Sequence, residues 1–255
     1  MSEAVGSGLG AAIASVLDGG LAVAAAGTAV AGVLRGFSGF GTAIVLAPLF
    51  SLLWGPASGV PAVLLMEALI GSPLLLSAWR SVNRRVAFPM AAGACALIPF
   101  GAVILLVADP AVLTRVMGGL VLLFGGLLAS GWRYRGARPL PLNVAVGAVA
   151  GVLKGSTGMS GPPVILYLLA GTEAAREHRA NLIAFFAVIG LVALLPPLLA
   201  GLFTAEVLLK VALLTPLLVL FVRVGVAMFG RVGERGFRVV AYGILIAVGI
   251  AALVA

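Results

Sequence analysis

The chain has 255 residues, of which 62% are hydrophobic and only 9% charged, and its net charge is +8. So little polar surface cannot coat a water-soluble globule, and the arginines gather in short loops between apolar runs, where positive charge sets membrane orientation; nucleic acid is not an expected partner. The apolar runs fill nearly the whole length, unlike the short alternating segments of an outer-membrane barrel, so the expected fold is an all-α polytopic protein embedded in a lipid bilayer.

In chain order, residues 1–19 form a short N-terminal segment with Glu3 and Asp18 but no Lys or Arg. It lacks the basic region of a cleavable signal peptide and is expected to remain in the mature protein. Two short apolar pieces, 20–34 and 43–54, follow around the break GFSGFGT at 36–42. Long spans are then expected at 57–79, 86–108 and 111–131, each near the ~20 residues that a crossing helix needs. The basic connector WRYRGARPL, 132–140, leads to a second pair of short pieces, 141–153 and 162–170, around GSTGMSG at 155–161. Further spans are expected at 179–201, 204–227 and 237–255. At 1.5 Å per residue, none of the four short pieces comfortably crosses a hydrocarbon core of ~30 Å.

The chain repeats itself. AGVLRGFSG at 31–39 returns as AGVLKGSTG at 150–158, and Gly71 falls opposite Gly190 at the same offset of 119. TRVMGGLVLLFGG at 114–126 resembles FRVVAYGILIAVG at 237–249. Duplication accounts for both, giving one membrane domain with a first half at 20–131 and a second at 141–255.

Loop charge decides what the broken segments do. Arg80, Arg84 and Arg85, then Arg133, Arg135 and Arg138, then Arg231, Arg235 and Arg238 form three basic clusters, which the positive-inside rule places in the cytoplasm. All three share one face only if each broken segment enters and leaves the membrane on the same side. Each half then consists of one re-entrant helical hairpin plus three transmembrane helices. An odd number of crossings inverts the second half relative to the first, so the hairpins dip from opposite faces and both termini lie outside. Inverted repeats with broken helices meeting near the midplane are the usual construction of secondary transporters.

Non-helical backbone at membrane depth is tolerated only where protein or a water-filled cavity satisfies it. Gly36 and Gly39 in the first break, and Gly155 and Gly158 in the second, permit sharp turns, while Ser38, Thr42, Ser156, Thr157 and Ser160 supply short hydroxyls. Gly161 followed by Pro162 and Pro163 reads as a helix start, whose free N–H groups and positive dipole end favour an anion. Arg35 and Lys154 stand at equivalent places beside the breaks. A cation at membrane depth costs about 2.5–3.5 kcal/mol on insertion scales and is usually kept for a pathway or a partner. Two cations, helix starts and hydroxyls describe a pocket for a small oxyanion, with no cofactor or metal required.

Blander readings compete with this one. Glycines such as Gly118 and Gly125 suit plain helix packing. Arg35 or Lys154 would merely snorkel if the hairpins were shallow. Glu67, in PAVLLMEALIGSP, is the one carboxylate near the middle of a span, serving either as a partner of Arg35 or Lys154 or as a coupling group. Asp109, Glu173, Glu177, Glu206 and Glu234 lie at or near loop ends and read as solvated, His178 as interfacial, and Cys95 as a small buried or lipid-facing residue.

The paired stretches AGVLRGFSGFGTAIVLAPL and AGVLKGSTGMSGPPVILYLL, with the basic connector between the halves, resemble the sulfite exporter TauE/SafE family of bacterial inner-membrane permeases. The resemblance covers the full length. It implies export of sulfite or of organosulfonates such as sulfoacetate, and it carries site roles onto Arg35, Gly36, Ser38 and Gly39 and onto Lys154, Gly155, Thr157 and Gly158. The halves depart from each other where Ala43 and Ile44 of the first face Pro162 and Pro163 of the second. Two alternatives stay open: a passive anion channel, and an intramembrane serine hydrolase built on Gly36-Phe37-Ser38-Gly39 with His178 as base.

Overall fold

The computed structural model describes residues 19–38, 41–130, 134, 136–168, 175–229 and 246–254. Among them every long element is an α-helix: α1 (Gly19–Ser38), α2 (Thr42–Trp54), α3 (Pro56–Ala78), α4 (Arg84–Val107), α5 (Pro110–Ala129), α6 (Leu140–Thr157), α7 (Gly161–Leu168), α8 (Ala175–Val192), α9 (Leu195–Leu199) and α10 (Ala205–Phe229). Residues 246–254 form a last helical stretch, α11. The breaks fall where the chemistry demands. Gly55, at φ 77°, ends α2 and Pro56 opens α3; Asn83 and Asp109 cap α4 and α5 by accepting from backbone N–H groups one turn on; Pro196 and Pro197 separate α9 from α8.

Among the described residues, five helical spans are long and apolar enough to cross a membrane: 84–107, 110–127, 140–157, 180–199 and 205–228. The chain is a multi-pass membrane protein. Its exposed side chains include Phe100, Val103, Leu106, Val116, Leu123, Leu213 and Leu220, an apolar coat suited to lipid.

The first arm of each broken segment is longer than the sequence suggests. α1 has 20 residues and α6 has 18, about 30 Å and 27 Å of helix. RGFS and KGST remain helical, and a described glycine of positive φ follows each, Gly41 at φ 106° and Gly158 at φ 73°. Positive φ at these two positions is what glycine alone adopts without strain. The expectation that 141–153 is too short to cross is therefore corrected: α6 is among the five long spans.

After each turn the chain folds back along itself. Arg138, just ahead of α6, donates through Nη2 to the carbonyls of Tyr167 and Leu168 at 2.9 Å each, and the Tyr167 hydroxyl donates to Asn143 Oδ1 at 2.7 Å. The end of α7 thus lies beside the start of α6. In the first half α2 returns against α1, where a Cβ on Gly27 would run into the Leu49 side chain.

Glycine-lined contacts set the directions of the long helices. A Cβ on Gly147, Gly151 or Gly155 would stand 2.0–2.2 Å from the carbonyl oxygens of Met90, Ala94 and Ile98 in turn, so α6 runs parallel to α4 at backbone contact. Gly32 likewise faces Phe221, while Gly36 and Gly225 face Val222 and Val33, so α1 runs parallel to α10. Asn83 donates from its backbone to Asn181 Oδ1 and from its side chain to Glu177 Oε1, tying the loop after α3 to the start of α8. The starts of α4, α6 and α8 therefore share one end of the molecule, where Arg80, Arg84 and Arg85 are exposed. α8 and α9 lead away from that end; α10 returns toward it with α1 alongside. The packing exchanges between halves: the first helix of each half lies on the long helix after the third of the other, and the third helices, α3 and α8, pack on each other.

Candidate functional site

Four helix ends converge beside the middle of α3: the C-termini of α1 and α6, which carry Arg35 and Lys154, and the N-termini of α2 and α7. Glu67 of α3 sits between the two cations. Its Oε1 is 3.5 Å from Arg35 Nη1 and its Oε2 is 2.5 Å from Lys154 Nζ, while the Ala43 backbone N–H at the start of α2 faces the same carboxylate. Lys154 also donates to the Gly158 carbonyl at 3.1 Å, and its side chain is 3% exposed. Arg35 donates to Thr42 Oγ1 at 3.1 Å and keeps 14% of its side chain exposed. Of the two roles the sequence allowed Glu67, the ion pair is present, and it engages both cations rather than one.

The other sequence candidates divide by what they touch. Thr42 is fully buried against Arg35, and as it accepts there its own O–H remains a donor. Ser156 and Thr157 donate to the carbonyls of Val152 and Leu153 one turn back, and Thr157 also accepts from the Met159 N–H. Ser160 is buried just before α7 begins. Gly158 makes the turn, with Val60 and Ala47 against it. Gly36 and Gly155 direct their Cα faces at α10 and α4, so the structure places them in helix contacts. The Ser38 side chain and Gly39 lie outside the described residues, as do the His178 side chain, Arg133, Arg135, Arg231, Arg235 and Arg238. Gly71 lies beside the guanidinium: a Cβ there would sit at an ordinary contact distance of 3.7 Å from Arg35 Nη2.

Sequence reasoning missed several polar contacts. Lys210 is 1% exposed, pairs with Glu206 and lies 4.2 Å from the centre of the Trp54 ring. Glu206, read as solvated, is 44% exposed and also serves as its i−4 partner. The signal was present: a lysine within EVLLKVALL has to find partners in an apolar setting. Asn143, buried between Arg138 and Tyr167, carries the same signal in LPLNVAVG. Glu177 accepts from Asn83 rather than standing free in solvent.

A family profile described as Sulfite exporter TauE/SafE matches residues 23–252. The chain belongs to the sulfite exporter TauE/SafE family. A curated relative, "Probable sulfite/organosulfonate exporter TauE" of Cupriavidus necator, is 28% identical over 232 residues, covering 83% of this chain and 85% of its own length. No solved structure matches the chain. TauE/SafE proteins are transporters, not enzymes, so the hydrolase reading of Ser38 and His178 is set aside. In this TauE/SafE chain the repeated motif thus supplies the two cations of a charged cluster inside a membrane transporter.

Proposed function

We propose that the protein exports small sulfur oxyanions or organosulfonates, sulfite or sulfoacetate-like, across the cell inner membrane, binding them between the two helix breaks near the midplane and alternating access as the halves rock. The observation that carries this reading is Arg35. It is a partly exposed guanidinium whose pairing with Glu67 is long and made through one nitrogen, beside the Thr42 hydroxyl and the N-terminus of α2. Its planar fork can take two oxygens of a sulfonate, whereas Lys154 is enclosed by Glu67 and the Gly158 carbonyl and anchors the carboxylate. Ser156 and Thr157 already donate within α6, so Arg35, Thr42 and the start of α2 supply the principal donors, with Lys154, Gly158, Ser160 and Glu67 shaping the floor. The relative's name points to the same class of anion.

The directions of the helices support an inverted repeat. α1 and α6 are parallel to α10 and α4, which run opposite ways, so the hairpins α1–α2 and α6–α7 enter from opposite ends. With the basic end in the cytoplasm, α6–α7 dips from inside, α1–α2 from outside, and both termini lie outside. For an anion leaving an inside-negative cell the potential supplies about 2.3 kcal/mol per charge per 100 mV, so uniport suffices. The test is thermal stabilisation of the purified protein by sulfite, sulfoacetate, taurine, sulfate and phosphate. Stabilisation by a sulfur anion that disappears in Arg35→Ala is expected; unchanged stabilisation in both Arg35→Ala and Lys154→Ala overturns the site. Saturable flux in liposomes is expected of a carrier, and unsaturable, far faster flux would mark a channel.

A further inference from the structure

We infer that Glu67 sets the charge of the substrate: the site is built for a head group bearing a single negative charge, and Glu67 is what excludes a doubly charged one. This rests on the anion site proposed above. Two cations share one carboxylate, so the cluster carries one net positive charge. Among the described residues, Arg35 and Lys154 are the charges that act on Glu67. A monoanion entering beside Arg35 brings the cluster to neutrality. A head group with two charges on one centre would leave an uncompensated negative charge in a low-dielectric setting, next to a carboxylate that Lys154 holds in place. A sulfonate group and hydrogensulfite carry one charge on the sulfur centre; sulfate and fully ionised sulfite carry two. Glu67 thus acts as a repulsive element against the wrong charge, as specificity commonly requires.

Methanesulfonate and sulfate test this directly, because they share a tetrahedral shape and differ by one charge. Their binding to the purified protein is measured by calorimetry at matched ionic strength, in wild type, Glu67→Gln and Glu67→Asp. The wild type is expected to favour methanesulfonate. Glu67→Gln raises the cluster to two net positive charges and is expected to move the preference toward sulfate by about tenfold or more. Glu67→Asp keeps the charge and should keep the wild-type preference, which a merely structural role for the carboxylate would not produce. Equal affinities in the wild type overturn the inference even if Glu67→Gln does not fold, and so does a Gln variant that weakens both ligands in the same proportion. The anion site itself fails differently: then neither anion binds, or both still bind after Arg35→Ala and Lys154→Ala.

Discussion

The two breaks carry nearly the same nine residues and hold their cations differently. In the second, Lys154 is buried, donates to Glu67 and the Gly158 carbonyl, and is followed by a proline-led helix start. In the first, Arg35 holds Glu67 at 3.5 Å through one nitrogen, with Thr42 as its other partner and part of its surface open. One tip encloses its cation; the other leaves its cation partly exposed. The repeated string places a cation beside each break, but a single carboxylate between them lies closer to the compact ammonium than to the broad guanidinium.

The contrast is broken most severely at Lys154. Lys154→Ala removes the close partner of Glu67 and should cost about 3–5 kcal/mol of stability, read as a large fall in Tm of the detergent-purified protein. A Tm no lower than that of Arg35→Ala would show that the two tips are equivalent after all. Next come the glycines that seat each tip on its neighbour. Gly155→Ala places a Cβ 2.2 Å from the Ile98 carbonyl and Gly36→Ala places one 2.1 Å from that of Val222; each is expected to lose about 1–3 kcal/mol, measured by thermal unfolding. Arg35→Ala sharpens the comparison from the other side. Its stability loss should stay near 1 kcal/mol, because its contact with Glu67 is the weaker one, while stabilisation by a sulfonate ligand vanishes. The smallest effects belong to Ser156→Ala and Gly71→Ala. The Ser156 hydroxyl is spent on its own helix and a Gly71 Cβ meets Arg35 Nη2 at an ordinary 3.7 Å, so both variants should stay within about 0.5 kcal/mol of wild type and keep ligand stabilisation.

Cysteine labelling tests the architecture that brings the tips together. Single cysteines in the 80–85 and 132–138 loops, introduced after replacing Cys95, should react from the same side of the membrane. Reaction from opposite sides contradicts the parallel course of α4 and α6.

The sequence by itself determined the class, the repeated string, the two breaks and the cations beside them. These are local or periodic properties: apolar runs of helical length, a repeated nine-residue string, charge left in short loops. It also marked Glu67 as costly enough to need a partner. Where the helices end was not legible, because RGFS and KGST satisfy a helix as well as a turn, and among the described residues Gly41 and Gly158 are the positive-φ glycines that follow them. Nor was the split role of the glycines: Gly36 and Gly155 lie in the motif, yet their surfaces are used by α10 and α4, far away in sequence. Tertiary structure alone decided that Glu67 joins both cations, and that Lys210 sits on Trp54 and Arg138 on the end of α7. Such pairings depend on which helices lie side by side, and helix propensity and hydropathy carry no information about neighbours on other helices.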